Sequence, residues 1–348
     1  MARDLRTLPK AHLHLHFTGS MAATTLVELA REQGRRLPES LLDAVVDGDP
    51  VRLPANERGW FRFQRMYDAA RAVVRSETVM RRIVDEAVAA DAAEGSVRLE
   101  IQVDPTSYAP YVGGLTPALE LVVDAARTSA QRHGIEVGVI VAASRMRHPL
   151  DARTLARLAA LHADPDGVIG FGLSNDERRG VTTAFAPAFA IARRAGLASV
   201  PHGGELLGAD HVAEVLASLH PDRIGHGVRV SEDAGVLRRV VDAGVALEVC
   251  PTSNVSLGVY PTLADVPLRR LLDAGARLAL GADDPLIFGS RLLAQYELAR
   301  DVHGLTDPEL ASLARSSIDA SRASESSKQR MRSAVEHWLA QPDPGTPT

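Results

Sequence analysis

Lys10-Ala11-His12-Leu13-His14-Leu15-His16-Phe17-Thr18-Gly19-Ser20 sets three histidines at alternate positions with leucines between them. In an extended strand, alternate residues face the same way. The run therefore projects imidazoles to one side and aliphatic groups to the other. If both faces are buried, the imidazoles need partners, because an unpartnered buried polar group is costly. A metal ion is one such partner, and hydrogen bonds inside an ordinary core are another. The run alone fits either, and the rest of the chain has to decide.

A chain of 348 residues with 45% hydrophobic content can bury a large core, as two average domains or as one α/β barrel. The formal net charge of -5 speaks against a nucleic-acid or anionic-membrane surface. The sequence contains no uncharged apolar window of about 18 residues, the length of a membrane span. Its start, MARDLRTLPK, lacks the apolar centre of a secretion signal. The expectation is a cytoplasmic protein with no nucleic-acid or membrane partner. Cys250 is the single cysteine, so neither an internal disulfide nor a cysteine zinc site is available. With no base beside it in sequence, Cys250 reads as a small packed hydrophobe rather than a nucleophile.

Strand-like and helix-like segments alternate along the chain. The strand candidates are Ala11–His16, Val97–Val103, Val137–Ala142, Val168–Leu173, Leu197–His202, Arg223–Gly227, Ala246–Cys250 and Arg277–Gly281. Helical patterns separate them, among them Met80–Ala93, Pro117–His133, Asp151–His162, Ala209–Leu219 and Leu263–Asp273. Eight strands with intervening helices point to a parallel (β/α)8 TIM barrel. An open doubly wound sheet would normally carry a glycine-rich first βα turn, and none follows the first strand. The first connection, Phe17 to about Arg75, is far longer than an ordinary loop and reads as a helical insertion (about 20–75) capping the site. Its Trp60, Phe61, Phe63 and Tyr67 divide between a small core of their own and the site, with Phe63 expected to face the latter. Further helices follow the last strand. The expected organisation is one barrel domain over 1–340 and a disordered Pro/Gly/Thr-rich tail over 341–348.

Polar residues gather at the C-terminal ends of these strands, where barrel enzymes keep their active sites. His14 and His16 end the first strand, Ser174-Asn175-Asp176-Glu177 the fourth, His202-Gly203-Gly204-Glu205 the fifth, and His226 the sixth. Asp283-Asp284 follow the eighth. Three histidines and a carboxylate converging on one point suit Zn²⁺ or a similar divalent ion, which lowers the pKa of a bound water toward about 7.

Five pieces in order make the chain resemble the adenosine deaminase family of metal-dependent amidohydrolases. They are His14-Leu15-His16, His202-Gly203-Gly204-Glu205, Ile224-Gly225-His226-Gly227, Cys250-Pro251-Thr252-Ser253-Asn254, and Asp283-Asp284-Pro285 with Phe288-Gly289. The resemblance implies one Zn²⁺ per chain on His14, His16, His202 and Asp283. It implies that Glu205 protonates the purine ring nitrogen beside the reacting carbon, that His226 orients the attacking hydroxide, and that Asp284 binds the imidazole-ring nitrogen. That last contact requires a proton on one partner, which a raised carboxyl pKa provides. The implied activity is hydrolysis of a carbon–nitrogen bond in a cyclic amidine: adenosine or 2′-deoxyadenosine to the 6-oxo product and ammonia. Gly204, on a turn where backbone can approach a ligand closely, joins the implied substrate contacts.

Three positions depart from the family pattern. Family members acting on adenosine typically hold the ribose 5′-hydroxyl with an acid soon after the second histidine, and here Thr18 stands there. The neutral threonine either substitutes for that acid or marks another 6-aminopurine as substrate: adenine, or a 5′-modified adenosine such as aminodeoxyfutalosine. Asn175 takes the place of a glycine whose N–H meets the purine; it keeps the N–H and tolerates unusual backbone angles. His12 replaces an acid and reads as a supporting core histidine, not a further ligand. A non-catalytic binding protein on the same barrel is the reading from another class, and the intact ligand set with Glu205 argues against it. The sequence leaves the oligomeric state open.

Overall fold

The computed structural model describes residues 3–47 and 51–341. Eight strands run parallel in sequential order: β1 (Lys10–His16), β2 (Ser96–Val103), β3 (Glu136–Ser144), β4 (Val168–Ser174), β5 (Ala198–Gly203), β6 (Arg223–His226), β7 (Ala246–Val249) and β8 (Arg277–Leu280). The ring closes between the first strand and the end of the last, where His16 N donates to Asp283 O (3.0 Å) and Asp283 N to His14 O (3.0 Å). This is the (β/α)8 barrel. The strands are almost wholly buried, as a sheet covered by helices on its outside and filled by side chains on its inside must be.

Among the described residues four helices lie between the first two strands: α1 (Ala23–Glu32), α2 (Glu39–Asp47), α3 (Glu57–Arg71) and α4 (Glu77–Ala93). The first three fall in the expected insertion. α3 begins where Asn56 accepts from the N–H of Gly59 (3.0 Å), a side-chain cap for an otherwise orphaned donor. The pattern read over Leu263–Asp273 as one helix is two pieces, a 3₁₀ turn at Leu263–Asp265 and a helix at Leu268–Asp273. Pro267 between them has no N–H to give and cannot continue a helix from the residue before it. Among the described residues a short helix, Pro285–Phe288, follows β8, and three longer ones, Leu292–Asp301, Asp307–Ala320 and Glu325–Ala340, complete the fold. The last reaches back to the start of the chain, with Trp338 Nε1 donating to Asp4 O (3.2 Å). The tail expected to be disordered lies, from residue 342 on, outside the described residues. Among the described residues no helix is long and apolar enough to cross a membrane.

Candidate active site

His14 and His16 leave β1 on the same face, and β5, β6 and β8 bring His202, His226 and Asp283 to them. His16 Nε2 stands 3.2 Å from His202 Nε2 and 3.2 Å from Asp283 Oδ1. His14 Nε2 is 3.6 Å from the same carboxylate oxygen. Donor atoms bound to one ion at about 2.1 Å in tetrahedral or five-coordinate geometry lie at such separations. His14 Nε2 is buried and has no hydrogen-bond partner among the described residues. The other nitrogens of two of these rings are committed: His14 Nδ1 to Glu248 Oε2 (2.8 Å) and His202 Nδ1 to the carbonyl of Leu173 (3.0 Å). Proton donation from Nδ1 leaves each Nε2 lone pair aimed at the common point, the arrangement by which partners orient metal-binding imidazoles. The residues present thus fit a divalent cation. His12 faces away from it. Its Nδ1 meets Asp91 Oδ2 (2.7 Å) and its Nε2 accepts from the N–H of Ala282 (3.1 Å), so it supports the wall.

The support beneath His14 extends further. Glu248 Oε1 accepts from Arg223 Nε (2.6 Å), Arg223 also grips Glu100 (2.7 Å), and Glu100 accepts from Arg98 (2.8 Å). All four side chains are buried at the barrel's centre. Such a chain is stable only when every charge has a partner, because an unpaired buried charge is strongly destabilising. Glu248→Gln is expected to weaken metal affinity by about 10- to 100-fold, the usual effect of losing a partner behind a metal-binding histidine. Competition with a chromophoric chelator measures it, and unchanged affinity would remove Glu248 from this role.

Three carboxyl groups stand close together above this floor, and their environments differ. Burial pushes Asp283 up, but the imidazoles of His14 and His16 beside it outweigh that and hold the carboxyl well below its ordinary range. Glu205 is pushed well up by burial and by the charge of Asp283. Asp284 is also pushed well up, by burial first and Asp283 next. One carboxylate is therefore ionised beside the histidines while two others are biased to carry protons, the kind of separation that assigns acid and base roles. Burial lowers His226 to about 4, so its ring is neutral near pH 7. The amide of Asn254 donates to its Nδ1 (3.4 Å), which leaves the proton on Nε2, 3.6 Å from Glu205 Oε1. Asp283 and His226 both hold left-handed backbone angles (φ 61° and 60°), as does Asn175 (φ 81°). Outliers of this kind gather at functional sites.

The cleft above these groups is about 780 Å³ including its open mouth, which is room for a nucleoside. From α3, Trp60, Phe63, Gln64, Tyr67 and Arg71 form one wall, whereas Phe61 points outward and is 64% exposed. Phe63 stacks on Phe288 (centroids 5.5 Å apart, planes 8° apart), and Phe288 closes the turn that begins after Asp284. Asn175 lines the opposite wall. Thr18 and Gly204 lie behind the lining instead of on it. Thr18 is fully buried, and its hydroxyl bonds to that of Tyr108. Gly204 has φ 71°, and a Cβ there would come within 2.4 Å of Val212 Cγ2, so this glycine serves the turn itself. Gly19 serves Asp284, because any side chain at 19 would overlap the Asp284 carboxyl.

Sequence reasoning missed Gln102, Tyr108, Arg145 and the support role of Glu248. Gln102 lines the cleft, is 1% exposed, and has no partner for either side-chain heteroatom among the described residues. The available signal was polarity inside apolar strands: Arg98-Leu99-Glu100-Ile101-Gln102 and Leu247-Glu248-Val249 place polar groups where only partnered ones persist.

A (β/α)8 barrel whose strand ends converge these imidazoles and this carboxylate is that of a metal-dependent amidohydrolase. Within that class, the chain belongs to the adenosine deaminase family, whose sequence model matches residues 9–338. It is 59% identical over 338 residues to a putative adenosine/adenine deaminase of Streptomyces coelicolor, covering 97% of this chain and 98% of that protein. It is 34% identical to an adenine deaminase of Rhizobium leguminosarum bv. trifolii, covering 93% and 98% of the two chains. Among solved structures it superposes on an adenine deaminase from Arthrobacter aurescens with a TM-score of 0.87 at 31% identity, covering 96% of this chain and 100% of that one. The family membership makes the chain a hydrolase of carbon–nitrogen bonds acting on small purine substrates.

Proposed function

We propose that the chain hydrolyses the 6-amino group of adenosine or 2′-deoxyadenosine, releasing ammonia and leaving the 6-oxopurine nucleoside, with one Zn²⁺ per chain on His14, His16, His202 and Asp283. The observation that carries this reading is the convergence of those four residues with Glu205, His226 and Asp284 at the floor of one nucleoside-sized cleft. Three imidazoles and a carboxylate suit zinc, and when bound it supplies an activated water and a Lewis acid. Glu205, biased by burial to hold a proton, delivers it to the ring nitrogen beside C6, then takes a proton from the oxygen that has added to C6 and passes it to the departing amine, which leaves as ammonia. His226 offers its Nε2–H to the oxygen that adds to C6. Asp284, also proton-bearing, donates to the imidazole-ring nitrogen, and the N–H of Asn175 faces the purine from the other wall. Trp60, Phe63 and Tyr67 flank the ring and keep bulk water away from it.

One observation favours a neighbouring substrate. Thr18 is buried against Tyr108, so the place that holds a 5′-hydroxyl elsewhere in the family offers no carboxylate here. The cleft also opens outward past Phe61, Met146 and Arg147, which leaves room beyond the sugar. Adenine or a 5′-modified adenosine such as aminodeoxyfutalosine then becomes the better substrate. Zinc-loaded protein assayed on adenosine, 2′-deoxyadenosine, adenine and one 5′-extended adenosine separates the readings. The expected result is ammonia release from the nucleosides. A higher kcat/KM for adenine or the extended compound moves the assignment there, and metal-replete protein inert on all four refutes the proposal.

A further inference from the structure

Three successive backbone N–H groups, those of Glu205, Leu206 and Leu207, point at one buried carboxylate. Glu177 Oε1 accepts from Glu205 N (3.1 Å), and its Oε2 accepts from Leu206 N (2.9 Å) and Leu207 N (3.0 Å). Consecutive N–H groups in a turn form an anion-binding concavity, and here the chain fills it with its own anion. The carboxylate belongs to a polar cluster that lines no part of the cleft. His211 Nδ1 stands 3.5 Å from Glu177 Oε2. Thr182 Oγ1 lies 3.1 Å from both His211 Nε2 and an Arg145 nitrogen. The other terminal nitrogen of Arg145 donates to the carbonyl of His202 (2.7 Å). One cluster therefore holds the backbone at His202 and again at Glu205.

The segment it holds, from the end of β5 to the helix Ala209–Leu219, has no ladder or helical bonds of its own. Without Glu177, the buried N–H of Glu205 would be orphaned and the half-buried ones of Leu206 and Leu207 would lose their acceptor. We propose that Glu177 is a positioning residue for the reaction: it fixes the turn that aims the Glu205 carboxyl at the substrate ring. This rests on the reading of Glu205 as the proton carrier. A misplacement of about 1 Å at such a group costs on the order of 100-fold in rate.

Glu177→Gln keeps the size and most of the acceptors but drops the charge that three N–H groups face. It is expected to lower kcat at least tenfold, with KM and bound metal within twofold of the parent. It should weaken a nucleoside whose reacting carbon is already tetrahedral and hydroxylated, with a protonated ring nitrogen beside it, by the same factor as kcat/KM. Binding of inosine, which asks nothing of that proton, should not change. Because Glu177 is buried, His211→Asn serves as a milder second variant, expected to lower kcat about threefold with the same split. Unchanged kcat in both, or equal losses for the tetrahedral ligand and inosine, overturns the proposal. If Glu205→Gln itself retains turnover, the reading of Glu205 is what fails. If Glu205→Gln is inert and the Glu177 and His211 variants are unaffected, only the positioning role fails.

Discussion

Glu205→Gln will lower kcat by about a thousandfold or more while leaving the protein folded and its metal content unchanged. A positioned general acid contributes roughly 10²- to 10⁴-fold, and in the proposed reaction Glu205 serves both the addition of water and the departure of ammonia. Glu205 is 3% exposed, and burial and the neighbouring Asp283 charge bias it toward its protonated form. A glutamine of the same shape can still donate a hydrogen bond but cannot release a proton. The backbone at 205 is held by Glu177, so the substitution leaves the turn in place. Ammonia release and metal analysis on the same preparation are the measurement. A kcat within tenfold of the parent would take Glu205 out of the chemistry.

Asp283→Ala will lose the metal. Its carboxylate lies 3.2 Å from His16, 3.6 Å from His14 and 3.9 Å from His226, and it accepts from Ser253 Oγ (2.6 Å). Removing it takes away both a proposed ligand and the negative charge that would offset a cation among buried imidazoles. The expected fall in metal affinity exceeds the roughly 100-fold limit seen for partners behind the ligands, and activity disappears with the ion. Asp283 also sits at φ 61°, a region that Asp enters more readily than Ala, so the variant loses some stability as well. Equilibrium dialysis against graded zinc, with activity followed in parallel, measures both effects. A variant that keeps one tightly held ion per chain would remove Asp283 from the ligand set.

Much of this architecture is visible in the residues because a barrel strand is apolar until it ends. Val168–Leu173 becomes Val168–Ser174 in the structure, and every expected strand bound lies within two residues of the observed one. His14, His16, His202, Glu205, His226, Asp283 and Asp284 stand out for the same reason: each is a reactive side chain placed where an apolar run stops. The supporting residues carry no such mark. Glu177 meets Glu205 across 28 positions, and His14 meets Glu248 across 234, pairings set by strand order around the ring and not by any local period. Thr18 shows the limit from the other side. Its place in the sequence points to the substrate, but its hydroxyl turns to Tyr108, a residue 90 positions away.

The stack of Phe63 on Phe288 joins two parts of the molecule that are far apart in sequence. Phe63 belongs to the helix that walls the cleft, and Phe288 ends the short turn that starts immediately after Asp284. A displacement of that helix that keeps the stack intact carries with it the turn that follows Asp284. In the proposed reaction the wall of the cleft and the carboxyl that holds the base are thus mechanically linked.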